Sequence, residues 1–304
     1  MRRLFRSSLL ASLLLTFPNN RISNLETHQD NSLQIPNVSE EFHQLILNQD
    51  FSSFTPEIMP KENPLPFRSS GLENLSLLMS YMSKKGFAID TLIADKRFDI
   101  YGSIASKFTR SAEKRIKSLE EYKKLLGFSD KKERIFLFME RNLCTLEKAE
   151  EIYGIPKEFI ASIFGIESDF ARVKGTYNPF NVYVSMHVKS VRPDLAIPQL
   201  EELLIFCRKN NLDVLSLRSS YAGAMSYAQF LPLSLNSWFI GADLYDIDNN
   251  IMSTANYLSY FKRRTGSLEK AVYSYNPKDV YVGFVMDLAK EAKTGQDSTR
   301  QKYH

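Results

Sequence analysis

The stretch "DKKERIFLFMERNLCTLEKAEEIYGIPKEFIASIFGIES", residues 130–168, decides the fold class. Positions Ile135, Phe138, Asn142, Leu146, Ala149 and Tyr153 recur in steps of three and four, which places them on one face of an α-helix. Gly154 and Pro156 punctuate the end, because glycine accepts the left-handed conformation of a helix C-cap and proline cannot continue a helix. The pattern predicts one long amphipathic helix up to Gly154. Pro156 then suits the first turn of a second helix ending near Ser168, where its missing N–H costs nothing.

Working outward, the same periodicity predicts helices in "IPQLEELLIFCRKN", "GAMSYAQFLPLSLNSWF", "NIMSTANYLSYFKRR", "SLEKAVYSY" and "PKDVYVGFVMDLAKEA". Strand-like alternation nowhere runs for long, and no period of 20 to 50 residues repeats. These segments make one all-α domain over residues 72–293, followed by a frayed tail at 294–304. Residues 18–71, rich in Asn, Ser, Pro and Gln, read as an irregular tether with a short apolar island at Phe42–Leu47.

The first 17 residues have a basic start at Arg2, Arg3 and Arg6 and an apolar run from Leu9 to Phe17, the layout of an export signal or leader. That run is far short of the ~20 residues a membrane-spanning helix needs, so no transmembrane domain is expected. Cys144 is the first cysteine, which argues against a lipid anchor on an N-terminal cysteine. The net charge of +4 includes the three leader arginines, leaving a chain near neutrality that does not call for nucleic acid. A length of 304 residues, 43% hydrophobic and 24% charged, suits an ordinary folded protein with a sizeable core. Cys144 and Cys207 either pair or fill apolar space.

Three stretches carry candidate chemistry. Glu167 ends the helix that starts near Pro156, four residues after Ile163, which sets a carboxyl beside apolar surface and favours its protonated form near neutral pH. A protonated carboxyl is what a glycosidic oxygen needs as it leaves, although a glutamate paired with Arg172, or simply solvated, fits the same position. Asp169, two residues on, would face another way and is a poor second carboxylate. In "SSYAGAMSYAQFLPLS", residues 219–234, the small residues Ala222, Gly223 and Ala224 permit close approach and Gln229 offers donors and an acceptor; a packed helix start capped by Ser219 or Ser220 is the plainer account. In "YSYNPKDVY", Tyr273, Tyr275, Asn276 and Tyr281 surround Pro277, a set that suits sugar rings and equally suits a core.

Taken in order, "YGIPKEFIASIFGIESDFARVKG", "SYAGAMSYAQFLP" and "YSYNPKDVY" resemble the lytic murein transglycosylase B family, enzymes of the bacterial envelope with a lysozyme-like catalytic core and an extra helical lobe. The likeness extends upstream through "IASKFTRSAEKRIKSLEEYKKLLGFSDKKERI" and covers about residues 75–293. It implies cleavage of the β-1,4 bond between N-acetylmuramic acid and N-acetylglucosamine in peptidoglycan without water, leaving a 1,6-anhydromuramyl end. Glu167 would be the single catalytic carboxyl, acid first and then base. By motif position, Ser220, Gln229 and Phe230 resemble residues lining the cleft, Tyr275, Asn276 and Tyr281 a substrate-contacting set, and Tyr122 an aromatic on the other lobe. The resemblance also implies an exported protein of the periplasm or cell envelope, with peptidoglycan strands as partner and cell-wall machinery as a further class of partner. No cofactor is implied.

The match has departures. The family usually carries glycine where Ala171 and Ser226 stand, and a Pro-Ser-Ser triplet where Pro232, Leu233 and Ser234 stand. Its aspartate-rich metal loop is missing: Asp243, Asp246, Asp248 and Asn249 lack the spacing of a calcium-binding loop, so no metal site is expected. The departures keep a non-catalytic peptidoglycan-binding protein in view, and a lysozyme-type muramidase is the other alternative.

Overall fold

A computed structural model of the chain describes residues 71–109, 116 and 118–302, with side chains as far as 295. The expected leader (1–17) and nearly all of the expected tether (18–71) lie outside the described residues; Gly71 already belongs to the first helix. The described residues hold thirteen α-helices and no strand longer than an isolated bridge. They are α1 (Gly71–Lys84), α2 (Asp90–Ala94), α3 (Ile104–Thr109), α4 (Leu119–Leu126), α5 (Phe128–Arg141), α6 (Leu143–Tyr153), α7 (Lys157–Glu167), α8 (Pro179–Val188), α9 (Pro193–Lys209), α10 (Pro232–Trp238), α11 (Ile247–Thr265), α12 (Leu268–Tyr275) and α13 (Asp279–Lys302). None is long and apolar enough to cross a membrane.

Two helices are enclosed, and each organises its own neighbours. In α7, nine of the eleven residues are buried, and the helix packs against α13, α5, α6 and α11. Gly165 allows this closeness, since a Cβ there would sit 2.8 Å from the Phe170 ring and 3.3 Å from Leu288 of α13. In α8 all ten residues are buried, among α9, α1 and α3. A helix apolar on every side must lie inside a protein, and the polar residues of α8 have built-in partners. Asn181 donates to Arg97 O (2.9 Å), Ser185 Oγ accepts from Tyr101 N (2.8 Å), and His187 Nε2 lies 3.1 Å from Asn74 O. The N-cap Asn178 accepts from Asn181 N and donates to Val214 O and Leu217 O, tying the start of α8 to the following chain.

The segment from Asp130 to Tyr153, expected as one helix, is two. The break falls at Asn142, whose side-chain amide donates to Phe138 O (2.7 Å) and thus competes with the backbone for the same carbonyl. The apolar face carries on across the break, which is why periodicity alone missed it. A second difference is larger. Residues 223–231, expected as the front of a helix, form tight turns and bridges, and only Pro232–Trp238 is helical. Positive φ angles at Gly223 (83°), Ser226 (65°) and Gln229 (54°) exclude a right-handed helix there. Tertiary partners supply the lost backbone bonds: Asn250 Oδ1 of α11 accepts from Ala228 N, and Tyr183 Oη of α8 donates to Gly223 O.

α13 runs past residue 294 to Lys302. Lys132 of α5 pairs with Glu291 (2.9 Å), and the Phe136 ring lies directly over Gly295. Cys144 is exposed and Cys207 buried, and both are free thiols. Burial pushes the Cys207 thiol up to about 12.

Candidate active site

Glu167 is the last residue of α7 and is 4% exposed. The Tyr281 hydroxyl, carried by α13, donates to its Oε1 at 2.8 Å. Tyr281 is fully enclosed; burial, followed by the Glu167 charge, pushes its phenol well above the ordinary range. The same two causes in the same order raise Tyr275 at the end of α12. Both tyrosines are therefore neutral donors at any physiological pH, grouped about one carboxyl.

The turns at 218–231, just ahead of α10, reach this group through Tyr275. Its hydroxyl donates to Ala228 O (2.5 Å), and its ring packs on Phe230 with centroids 5.6 Å apart. Phe230 is 3% exposed between Tyr257 and Tyr275, so it supports the site by packing and presents little surface to a ligand. Gln229 is half-buried in a left-handed conformation; its amide nitrogen donates to Ser226 O (2.9 Å), while its Oε1 has no partner. Ser220 is 2% exposed, and its Oγ accepts from Ala224 N (3.2 Å), a turn bond. Asn276 is fully buried at the turn between α12 and α13. Tyr122 of α4 is enclosed against Phe284 of α13, one helical turn from Tyr281, and so forms a wall behind the site. Tyr273, also singled out in the sequence, points outward at 44% exposed.

The alternative pairing of Glu167 with Arg172 does not occur: Arg172 Nη1 lies 3.5 Å from Asp169 Oδ2. Asp169 also accepts from Lys131 Nζ (3.0 Å) and Arg134 Nη1 (2.5 Å), both of α5. Burial alone would raise the Asp169 carboxyl, but Lys131 and Arg134 outweigh it and hold it below its ordinary value. Sequence reading missed Lys131 and Arg134. Their spacing of three on one helix face was visible, yet it is equally that of any solvated pair.

Asp169 (φ 53°), Phe170 (60°) and Ala171 (65°) form three successive left-handed residues, separated from Glu167 only by the C-cap Ser168. A non-glycine residue in that region costs roughly 1–2 kcal/mol. Ala171 and Ser226 are the two positions where the resembled family carries glycine, and both adopt φ 65°. Ala171→Gly is expected to raise stability by about 0.5–1 kcal/mol, relief of strain less the backbone entropy of glycine, read as a rise of a few degrees in Tm. Ser226→Gly should gain less, because Ser226 Oγ accepts from Ala228 N (3.3 Å) in a buried turn.

The acidic residues after α10 hold a helix cap, a turn and a contact between helices. Asp246 accepts from Asn249 N (2.7 Å) at the start of α11, Asp243 from Tyr245 N (2.8 Å), and Asp248 from Thr145 Oγ1 (2.7 Å). Among the described residues no group of three or more His, Cys, Asp or Glu is placed to hold a metal ion.

A buried glutamate closing an enclosed helix, faced by tyrosines and by a loop of glycine-like turns, coincides with a family match. The model of the transglycosylase SLT domain matches residues 77–267. The chain belongs to that family. Among relatives of the SLT domain, membrane-bound lytic murein transglycosylase B of Escherichia coli K12 is 32% identical over 119 residues, 37% of this chain and 33% of that protein. The match thus spans about a third of that relative's length. The soluble lytic transglycosylase SltB1 of Pseudomonas aeruginosa superposes with a TM-score of 0.65 at 22% identity, over 74% of this chain and 99% of that one. Lytic transglycosylase Slt35 of E. coli, solved with bulgecin A, gives 0.64 at 20% identity, over 73% and 93%. P. aeruginosa SltB3, solved with NAG-NAM-pentapeptide, gives 0.63 at 15%, over 74% and 80%. These structures establish the fold of the SLT domain here as that of lytic transglycosylases, lysozyme-like and all-α.

Proposed function

We propose that the chain is a peptidoglycan lytic transglycosylase that cleaves the N-acetylmuramic acid–N-acetylglucosamine β-1,4 bond and leaves a 1,6-anhydromuramyl end, with Glu167 as its one catalytic carboxyl. The observation that carries the reading is the environment of Glu167: a carboxyl 4% exposed at the end of α7, with the Tyr281 hydroxyl on one oxygen. Burial disfavours the anion and the tyrosine hydrogen bond stabilises it, so both states that an acid-then-base residue passes through are accommodated. Asp169, the nearest carboxylate in sequence, is held by Lys131, Arg134 and Arg172 and is not offered as a second catalytic group.

In the proposed reaction Glu167 gives its proton to the glycosidic oxygen, and the C1–O bond breaks to release the N-acetylglucosamine side as an alcohol. The acetamido group of the muramyl sugar stabilises the positive C1. The Glu167 carboxylate then takes the proton of the C6 hydroxyl while that oxygen bonds to C1, which closes the anhydro ring and restores the acid. Gln229, half-buried with an unpartnered Oε1, is the proposed sugar-facing group; Ser220, Asn276 and Tyr275, nearly enclosed, shape the wall beside it, and Tyr122 and Phe230 back it by packing. Residues 1–17 as an export leader, 18–71 as a tether and 72–293 as the catalytic domain would place this activity in the cell envelope of a bacterium, with cell-wall machinery as partner.

Digestion of purified sacculi followed by mass measurement of the soluble muropeptides tests the reading. The expected products are lighter by one water than those of a hydrolase and have no reducing muramyl end. Ordinary reducing ends would make the protein a lysozyme-type muramidase, and binding to sacculi without release would make it a non-catalytic cell-wall protein.

A further inference from the structure

We propose that Lys131 and Arg134 of α5, acting through Asp169, are positioning residues that hold Glu167 against the Tyr281 hydroxyl; this rests on the catalytic reading of Glu167. Lys131 is 5% exposed, unusual for a lysine, and its Nζ spans two points of the catalytic segment. It donates to Gly165 O (2.5 Å), two residues before Glu167, and to Asp169 Oδ1 (3.0 Å), two residues after it. Arg134 takes the other oxygen of the same carboxylate at 2.5 Å. One ammonium thus brackets Glu167 from both sides in the chain, and a guanidinium locks the second side.

The bracket is placed where the backbone needs it. An α-helix leaves its last carbonyls without intrahelical partners, and here a cation from another helix takes the carbonyl of Gly165. The chain then turns through three left-handed residues in a row, a conformation that persists only when its surroundings over-determine it. Phe170 in that turn lies against the Gly165 backbone, packs on Phe138 (centroids 5.5 Å apart), and has Lys131 and Arg134 within about 6 Å of its ring centre. Ser168 completes the turn: its Oγ accepts from Ala171 N and its O accepts from Val173 N. These groups act on the chain on either side of Glu167. They fix the helix end from which its carboxyl projects, and a displacement there separates it from Tyr281 on α13.

The test uses the full chain with Glu167 labelled in its carboxyl carbon, and compares wild type with Lys131→Met and Lys131→Arg. Each protein is assayed for turnover of sacculi and for the NMR titration of the Glu167 carboxyl. Lys131→Met, which keeps the stem and removes the donors, is expected to lower kcat by about 10- to 100-fold, the scale of an ångström-level misplacement, with KM changed less than about threefold. It should also move the Glu167 titration upward, because the Tyr281 hydrogen bond that favours the anion is weakened. Lys131→Arg is expected to restore most of both. A Lys131→Met protein with wild-type kcat and Glu167 titration but a lower Tm would overturn the proposal and leave Lys131 as structural. Should Lys131→Met fail to fold, Arg134→Leu removes the more exposed arm, and the same two readouts must shift in the same direction. If wild type releases no muropeptides, the transglycosylase reading fails by itself, and the carboxyl titration still decides whether Lys131 positions Glu167.

Discussion

Glu167→Gln is expected to reduce the release of muropeptides from sacculi by at least about 10²- to 10⁴-fold, the contribution of a positioned acid or base, and to leave the fold intact. Glutamine has the size and shape of the glutamate, and its side-chain carbonyl can still accept from Tyr281, whose hydroxyl now lies 2.8 Å from Oε1. The buried tyrosine therefore keeps a partner, which avoids the usual penalty for orphaning a buried donor. What is lost is the transferable proton. Since one residue is assigned both the protonation of the leaving oxygen and the later proton abstraction, no second carboxylate takes over either step, and the loss should lie toward the upper end of that range. Initial rates on sacculi together with a thermal melt check the prediction: a variant that melts like wild type and digests as fast would remove Glu167 from the mechanism.

Gly175→Ala is expected to be the most damaging single methyl group near the site. Gly175 has φ 82°, and a Cβ there would lie 2.3 Å from Ser219 O and 2.5 Å from Ser219 C. Those are backbone atoms and cannot rotate away. Ser219 is also fixed by the two hydrogen bonds of its bridge with Tyr177, at 3.1 and 2.7 Å, so yielding means breaking that pair. Left-handed strain of about 1–2 kcal/mol and overpacking of about 1–3 kcal/mol together give a loss of roughly 2–5 kcal/mol, or about 10 °C in Tm for a domain of this size. Gly266 provides the comparison: its φ of 74° is similar, but nothing lies within 4 Å of a Cβ built there. Gly266→Ala should therefore show the strain alone. Calorimetry of the two variants separates the terms, and equal losses would mean that the contact with Ser219 carries no energy.

The two halves of the site were legible to different degrees. Helix α7 could be read from its own residues, because Pro156 opens it and a run from Ile160 to Ile166, polar only at Ser162, has to be buried whatever surrounds it. Glu167 stood out as the carboxyl that ends such a run. The 223–231 segment was misread as helix because its small and apolar residues fit helical spacing, and nothing local announces left-handed angles at Ser226 and Gln229. Those angles are maintained from outside, by Asn250 on Ala228 N and by Tyr275 on Ala228 O. Asn142 was misread for the opposite reason. A local side-chain hydrogen bond ended α5, while the apolar pattern that guides prediction ran on.

The amino-acid sequence by itself determined the all-α class, the helix carrying Glu167 and the family resemblance, since periodicity, caps and short motifs act within a few turns of chain. Only the tertiary structure decided what faces Glu167. Tyr281 lies 114 residues away and arrives on α13, and Lys131 lies 34 residues before the Gly165 carbonyl it holds. It likewise decided that Arg172 serves Asp169 and leaves Glu167 to Tyr281. The reason is physical: a hydrogen bond or an ion pair is set by distances of about 3 Å between atoms, and sequence spacing constrains such distances only along one helix. Between helices, packing of the buried faces sets them.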